Sequence, residues 1–167
     1  LSRGVDLFLT SGGVSVGDFD LVKKVLAASG EMHFWRVRMK PGKPLAFGHI
    51  GGVPFLGLPG NPVSVMVSFE TFARPAILKM SGHTAWERPT VRARLLDAIP
   101  RKDGRRHYLR VRVAARNGEY VARLTGGQGS GILSSLVKAN GLAVIPEEWA
   151  QVPAGAEVSV ILLDEGL

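Results

Sequence analysis

The hydrophobic and polar positions divide the chain into two halves with different periodicities. In the first half, short apolar runs typical of β-strands are separated by glycine-rich loops and by stretches with the three-and-four spacing of amphipathic helices. Strands are predicted over about 5–9, 32–39, 45–50 and 53–58, and helices over about 18–29 and 62–80, the second with a break near Thr71 to Arg74. Such alternation predicts an α/β domain.

The predicted second helix carries a broad apolar face that we expect to be buried. Its members are Val63, Met66, Phe69, Phe72, Ala73, Ala76, Ile77 and Met80.

Beyond about residue 90 the pattern changes to short runs in which apolar and polar residues alternate, at 91–95, 111–115 and 158–162. Alternation of this kind is typical of strands with one buried face, and Asn117-Gly118 is typical of a type I′ hairpin turn. We therefore predict a small antiparallel sandwich or barrel, and we divide the chain into domains 1–83 and 84–167.

Composition restricts the classes of function. The chain has 46% hydrophobic and 21% charged residues, no cysteine and a net charge of +7. Its apolar runs are too short for a membrane span, and its basic residues are not clustered in the way that nucleic-acid binding requires. We expect a small anionic ligand, no nucleic-acid or membrane partner, and a cytoplasmic location by default.

The segment 57–64 is a tight loop that leads directly into the predicted helix. Gly57 and Gly60 allow the backbone to approach a ligand, Asn61 is a favourable N-cap residue, and Pro62 suits the first helical turn. The resulting amides would bind phosphate-like or oxyanionic groups. The alternative is a well-capped helix with only a structural role.

A second glycine-rich corner, 10–18, lies between a predicted strand and a predicted helix. Asp18 and Asp20 stand at the start of that helix, and either could be a magnesium ligand beside a bound phosphate. The alternative for both is helix capping and compensation of the helix dipole.

The stretch 40–44, Lys-Pro-Gly-Lys-Pro, is a turn stiffened by two prolines. It is predicted to hold Lys40 and Lys43 near each other, which is favourable if an anion lies between them. The alternative is a solvent-exposed basic turn. The four histidines lack zinc-site spacing and are interpreted as packing or surface residues.

Three segments, in this order, closely resemble the molybdopterin molybdenumtransferase family, which includes MoeA and the E domain of gephyrin. They are 9–20, then 39–44 with 46–48, then 57–64; the stretch 126–135 resembles the C-terminal barrel domain of the family. The resemblance implies the second half of a molybdopterin-binding, MogA-like α/β domain followed by a small antiparallel β-barrel domain.

The resemblance also implies an activity. Members insert molybdate into the dithiolene of adenylylated molybdopterin, releasing AMP and yielding molybdenum cofactor, with Mg²⁺ assisting. By this resemblance the catalytic residues would be Asp20, as metal ligand at the adenylate phosphate, with Lys40, Lys43 and Ser64 holding molybdate.

The pterin, its phosphate and the molybdate side would be contacted by a further set of residues. The set comprises Thr10, Ser11, Gly12, Gly13, Arg36, Pro59, Gly60, Asn61, Arg110 and Ser130. Arg36 stands where the family often has lysine, which keeps the charge and favours bidentate phosphate contact.

Family members carry further N-terminal domains and the first elements of the pterin-binding domain, so the resemblance implies that this chain is a fragment. In the family, acidic residues from a partner subunit complete the active site, so the isolated chain is expected to be weakly active or inactive. An exposed sheet edge leads us to expect a homodimer.

Two other interpretations stay open at this point. The chain could act as a scaffold or oligomerisation module of the gephyrin E type, or it could be an anion-binding protein that shares the loops by convergence.

Overall fold

A computed structural model describes residues 4–12, 30–100 and 103–163. The chain divides into two compact units, the first comprising residues up to Val37 together with Pro41–Trp86, and the second Arg38–Lys40 together with Glu87 onwards. The helix predicted over 18–29 lies outside the described residues.

The first unit contains a four-stranded mixed sheet. Its strands are β1 (Phe8–Ser11), β2 (Met32–Arg36), β4 (Pro44–Ile50) and β5 (Val53–Leu58), in the order β1-β5-β4-β2. β1 is parallel to β5, whereas β4 is antiparallel to both β5 and β2. β1, β2 and β5 therefore all end at the same end of the sheet, where β4 begins.

The β4–β5 hairpin confirms the turn predicted at Gly51-Gly52, since both glycines have positive φ angles, 56° and 80°. One face of this sheet buries Ala46 and Phe55, against which partly buried residues of β1 and β2 pack.

The predicted second helix consists of α1 (Pro62–Ser68), a π-helical turn (Phe69–Ala73) and α2 (Arg74–Met80). The π-helical turn coincides with the predicted break, where Pro75 cannot donate a backbone hydrogen bond and the Thr71 hydroxyl donates to the Val67 carbonyl at 2.8 Å.

The predicted apolar face of this helix was partly wrong. Val63, Val67 and Ala73 are buried, but Met66, Ile77 and Met80 are exposed. The π-helical turn changes the phase of the side chains that follow it, including Ile77 and Met80, whereas Met66 precedes the turn.

The strand predicted over 32–39 was also too long. β2 ends at Arg36, and Met39–Lys40 forms a separate short strand, β3, in the second unit. β3 pairs in parallel with β8 (Arg106–Arg116), where Lys40 lies opposite His107. The periodicity of the sequence cannot reveal this change of sheet, because apolar and polar residues continue to alternate between β2 and β3.

The second unit is built around a closed five-stranded barrel. Its other strands are β6 (Thr90–Leu95), β9 (Glu119–Leu124), β10 (Gly141–Ile145) and β12 (Glu157–Leu162), and a short pair, β7 (Ile99–Pro100) and β11 (Gln151–Val152), lies outside the barrel sheet. The order is β8-β9-β6-β12-β10, and β10 pairs with β8 to close it. The β6–β9 pair is parallel and the other barrel pairs are antiparallel.

Alternating residues of these strands fill the barrel with one apolar cluster, which includes Leu95, Val111, Val113, Ala143 and Val160. The predicted Asn117-Gly118 turn joins β8 to β9, with φ angles of 51° and 81°. A short helix, α3 (Leu133–Val137), precedes β10.

A buried asparagine fixes the chain just before β10. Asn140 is 3% exposed; its Oδ1 accepts from the Val113 amide at 2.7 Å, and its Nδ2 donates to the Val113 carbonyl at 3.0 Å. The side chain thus satisfies two backbone groups at the point where the barrel closes.

We expect Asn140→Ala to lower the free energy of unfolding by about 2–4 kcal/mol, because two buried backbone groups lose their partners. Urea denaturation measures this loss. Gln151→Ala, which removes an exposed amide from β11, is the control and should change stability by less than about 0.5 kcal/mol. Equal effects of the two substitutions would contradict the role of Asn140.

Candidate functional site

Two of the glycine-rich segments meet at the end of the sheet where β1 and β5 stop. The Gly12 amide donates to the Leu58 and Pro59 carbonyls at 3.0 and 3.1 Å, and the Ser11 hydroxyl donates to the Pro59 carbonyl at 3.4 Å. Residues 10–12 and 57–61 therefore form one continuous backbone surface, which we call the loop wall.

The two halves of the loop wall touch at Gly12 and Gly60, and the backbone conformation of Gly12 favours glycine. Gly12 has a φ of 86°, and a Cβ atom on Gly60 would lie 3.5 Å from the Gly12 Cα. Thr10 lies beside Gly57 in the β1–β5 register. Gly13, which we assigned to the same surface, lies outside the described residues.

Asn61 occupies the N-cap position of α1, but its side chain does not make the expected cap. Its backbone carbonyl accepts from the Val65 amide at 2.8 Å, whereas no side-chain capping hydrogen bond forms. Asn61 Oδ1 is buried without a hydrogen-bond partner among the described residues. A buried acceptor without a donor is unfavourable, so this atom fits a ligand or water that donates an N–H or O–H.

Ser64 lies in α1, three residues beyond Asn61, and is only 7% exposed. It is therefore not among the freely solvated residues of the helix.

Two cationic residues lie at the same end of the sheet. Arg36 ends β2 opposite Pro44, and the Val37 amide donates to the Lys43 carbonyl at 2.8 Å. Arg36 and Lys43 are both exposed. The first unit therefore combines the loop wall with two positive charges at one end of its sheet, an arrangement that suits an anionic ligand.

Lys40 has a different setting, because β3 belongs to the second unit. Its amine lies 3.6 Å from Asp103 Oδ2. The predicted pairing of Lys40 and Lys43 around a ligand anion is therefore not needed to balance Lys40, because a carboxylate of the chain already accompanies it.

Asp103 is the centre of an ionic cluster that the sequence did not reveal. Its carboxylate accepts from the guanidinium of Arg105 at 2.7 Å and from the buried ring of His107 at 2.7 Å. Desolvation raises the pKa of Asp103, but the hydrogen bonds and charges of His107 and Arg105 outweigh it, so the pKa is well below its ordinary value of 3.8.

Arg110 and Ser130 belong to the second unit, where Arg110 organises the loop that contains Ser130. The fully buried guanidinium donates from Nε to Ser135 Oγ at 3.1 Å and from Nη2 to the carbonyls of Gly127 and Gly129 at 3.3 and 3.0 Å. Gln128 pairs with the backbone of Arg110, accepting from its amide at 2.8 Å and donating to its carbonyl at 3.2 Å.

Burial lowers the pKa of Arg110, since desolvation disfavours its charged form. The acceptors of its guanidinium, the Ser135 hydroxyl and the Gly127 and Gly129 carbonyls, are neutral, and Ser130 is exposed in the loop that contains the two glycines. The position of Ser130 thus depends on a cation in the barrel wall.

The candidate magnesium ligands, Asp20 and Asp18, lie outside the described residues. Within residues 4–12, 30–100 and 103–163, no group of three or more His, Cys, Asp or Glu residues is arranged to hold a metal ion. No helix in those ranges is both long and apolar enough to span a membrane.

Two family models match the chain, one in each unit. Residues 1–79 match the probable molybdopterin binding domain, and residues 92–163 match the MoeA C-terminal region, domain IV. Residues 1–79 thus belong to the molybdopterin-binding domain family, and residues 92–163 to the MoeA C-terminal domain family. This confirms the resemblance drawn from the three sequence segments.

Curated relatives agree with this assignment. The chain is 39% identical over 160 residues to the molybdopterin molybdenumtransferase of Haemophilus influenzae, with 93% of this chain and 39% of that protein aligned. It is 37% identical over 186 residues to gephyrin of Dictyostelium discoideum, with 97% of this chain and 26% of gephyrin aligned. The chain thus spans about two fifths of the transferase and about a quarter of gephyrin.

Solved structures confirm the predicted fold class. A molybdopterin biosynthesis MoeA protein from Pyrococcus horikoshii matches with a TM-score of 0.75 and 31% identity, over 95% of this chain and 37% of that chain. A molybdopterin biosynthesis MoeA protein from Pyrococcus horikoshii OT3 matches with a TM-score of 0.65 and 32% identity, over 87% of this chain and 39% of that chain.

We expect Asp103→Asn to reduce the free energy of unfolding by about 1 kcal/mol at pH 7, because partly exposed ion pairs contribute modestly. The folded-state pKa is depressed, so the contribution of Asp103 is present above the ordinary pKa of 3.8 and is lost as the pH falls. Urea denaturation should therefore show the difference between wild type and variant shrinking below about pH 5.

Glu148→Gln, which neutralises an exposed carboxylate, is the matched control and should have little effect at pH 7. A difference between wild type and Asp103→Asn that stays constant with pH would contradict the proposed ion pairing.

Proposed function

We propose that this chain is part of a molybdopterin molybdenumtransferase and contributes to the insertion of molybdate into adenylylated molybdopterin, with release of AMP. The proposal rests on one end of the first sheet. There the close-packed glycine backbone of the loop wall, Asn61 Oδ1, which is buried without a partner among the described residues, and two cations, Arg36 and Lys43, occur together. Curated relatives that carry the name of this activity support it.

The loop wall would hold the pterin. Residues 10–13 and 59–61 would contact the ring and its phosphate through backbone groups. Asn61 Oδ1 can only accept a hydrogen bond, so it suits an N–H of the pterin and not an oxygen of phosphate or molybdate. Arg36 would take the phosphate, whose geometry matches a bidentate guanidinium.

Molybdate is an oxyanion and requires donors and positive charge. We propose, from the family resemblance, that Lys40, Lys43 and Ser64 hold it. Arg110, whose buried guanidinium is directed into the loop that contains Ser130, would act by positioning Ser130. Asp103 would act on Lys40, since their ion pair restricts the amine to fewer rotamers before the anion arrives.

Mg²⁺ belongs to the proposal through Asp20, with Asp18 as the alternative. Carboxylate oxygens are ligands that Mg²⁺ prefers, and the ion would neutralise charge at the adenylate phosphate. We further propose a cytoplasmic location by default, and no nucleic-acid or membrane partners, a proposal that the dispersed basic residues and the short apolar runs support.

Titration calorimetry with molybdate, AMP and molybdopterin tests the proposed site. We expect Lys40→Ala to weaken molybdate binding about tenfold, because a charge-assisted interaction is lost. Asp20→Ala should weaken AMP binding in the presence of Mg²⁺. Lys79→Ala, which removes an exposed lysine of α2, is the control and should leave both affinities unchanged. Affinities insensitive to Lys40→Ala and to Asp20→Ala would rule out the site.

The alternative, a scaffold or oligomerisation module of the gephyrin type, is favoured by one observation. The helical segment 62–80 exposes Met66, Ile77 and Met80, with 45%, 36% and 49% of their surfaces accessible. Exposed apolar residues of this size are typical of protein interfaces. We therefore propose that the chain forms a homodimer, which is compatible with either function.

Light scattering should give the mass of a dimer. Replacing Met66 and Met80 together by serine should raise the dimer dissociation constant about tenfold, because apolar contact area is lost. Val137→Ser, at an equally apolar and more exposed position of the second unit, is the control. A monomeric wild-type chain would contradict the dimer.

A further inference from the structure

A cavity of about 360 Å³ opens on the outer surface of the barrel, beside β8 and β9. Its apolar floor is formed by Leu96, Ala114, Val121 and Leu124. Ala114 and Val121 are opposite each other in the β8–β9 register, and neither belongs to the apolar cluster inside the barrel. The volume lies in the range of small-molecule sites.

Four cationic side chains surround this apolar floor: Arg112, Arg116, Arg123 and Lys138. Arg112 and Arg123 are directly opposite each other on adjacent antiparallel strands, so their Cβ atoms are about 5 Å apart on the same face. Like charges in this position destabilise a sheet, and an anion bound between them would remove the cost.

Other arginines of the same barrel have carboxylate partners. Arg92 pairs with Glu157 at 2.6 Å, Arg106 with Glu147 at 3.0 Å, and Arg94 with Glu119 at 3.7 Å. By contrast, none of the four cations around the cavity forms an ion pair or a side-chain hydrogen bond with another described residue. Positive charge is thus left unbalanced at this one cavity.

Two acidic residues that neighbour the cavity in register or in sequence, Glu119 and Asp97, already bind other groups of the chain. Glu119 is the register partner of Arg116, but its carboxylate pairs with Arg94. Asp97, which follows Leu96 of the cavity floor, accepts from the Leu124 amide at 2.8 Å. Neither carboxylate lines the cavity.

We propose that this cavity binds a small organic phosphate, with its phosphate group between Arg112 and Arg123 and its carbon body on the apolar floor. Guanidinium groups match the geometry of phosphate oxygens, and Arg116 and Lys138 add charge at the rim. A bare inorganic anion would leave the apolar floor in water, so the body of the ligand contributes to binding. The cavity belongs to the second unit alone, and none of the residues that line it is among those proposed for the transferase site.

Three probes separate the two parts of the proposal: 1-naphthyl phosphate, inorganic phosphate and 1-naphthol. Titration calorimetry at low ionic strength should show saturable binding of 1-naphthyl phosphate to the intact chain. Inorganic phosphate, which lacks the apolar ring, and 1-naphthol, which lacks the phosphate group, should each bind at least about tenfold more weakly. Equal affinity for inorganic phosphate would overturn the proposed role of the apolar floor.

The matched variants are Arg123→Gln in the cavity and Arg92→Gln on β6. Arg123→Gln should weaken binding of 1-naphthyl phosphate about tenfold, whereas Arg92→Gln should not change it. Equal losses in both variants would show that net surface charge alone attracts the probe, and the absence of saturable binding would also overturn the proposal.

The ligand-free stability of the same variants gives a second readout. Arg123→Gln relieves the repulsion with Arg112, so it should raise the Tm by roughly 1–3 °C while lowering affinity. Arg92→Gln breaks an ion pair and should leave the Tm unchanged or lower it. A fall in Tm for Arg123→Gln would show that this arginine is a structural residue of the barrel.

Discussion

The parallel pairing of β1 with β5 determines where the candidate site lies in the first unit. Because the two strands run in the same direction and are adjacent, the glycine-rich segments that follow them must emerge side by side. The bonds from the Gly12 amide to the Leu58 and Pro59 carbonyls then join the segments into one surface. Gly12 has a φ of 86°, a backbone conformation that favours glycine, and Gly60 packs against it.

In the second unit, most of the described arginines already donate hydrogen bonds to acceptors of the chain itself. Arg110 is the extreme case, since its buried guanidinium is directed into the carbonyls of a glycine-rich loop. A buried cation of this kind contributes little long-range attraction, but it fixes a loop that has few side chains of its own to hold it. The glycines of residues 126–131 are thus ordered by Arg110 and Gln128.

Much of this arrangement could be predicted from the sequence, because the signals are local. The Gly51-Gly52 and Asn117-Gly118 turns, the helix break near Pro75 and the two glycine-rich segments are each encoded by neighbouring residues. Family resemblance added the domain types, which periodicity alone left as a sandwich or a barrel.

The misses all depend on contacts between residues distant in sequence. Asp103 is 63 residues from Lys40, so no local pattern connects them. The two-residue strand β3 leaves one sheet and joins another while the alternation of apolar and polar residues continues. Met66 and Met80 have the spacing of a buried face, but burial also requires a neighbour, which spacing does not supply.

The partner of Lys40 changes how a basic turn should be interpreted. In the sequence, two lysines separated by a proline and a glycine indicate two equivalent positive charges that bind the same anion. Asp103 makes them unequal: Lys43 keeps its full charge at the end of the first sheet, whereas the charge of Lys40 is partly neutralised. An anion gains less Coulomb energy from Lys40 but also orders it at a smaller entropic cost. Each lysine is therefore interpreted within its own unit, Lys40 with its carboxylate partner and Lys43 at the end of the first sheet.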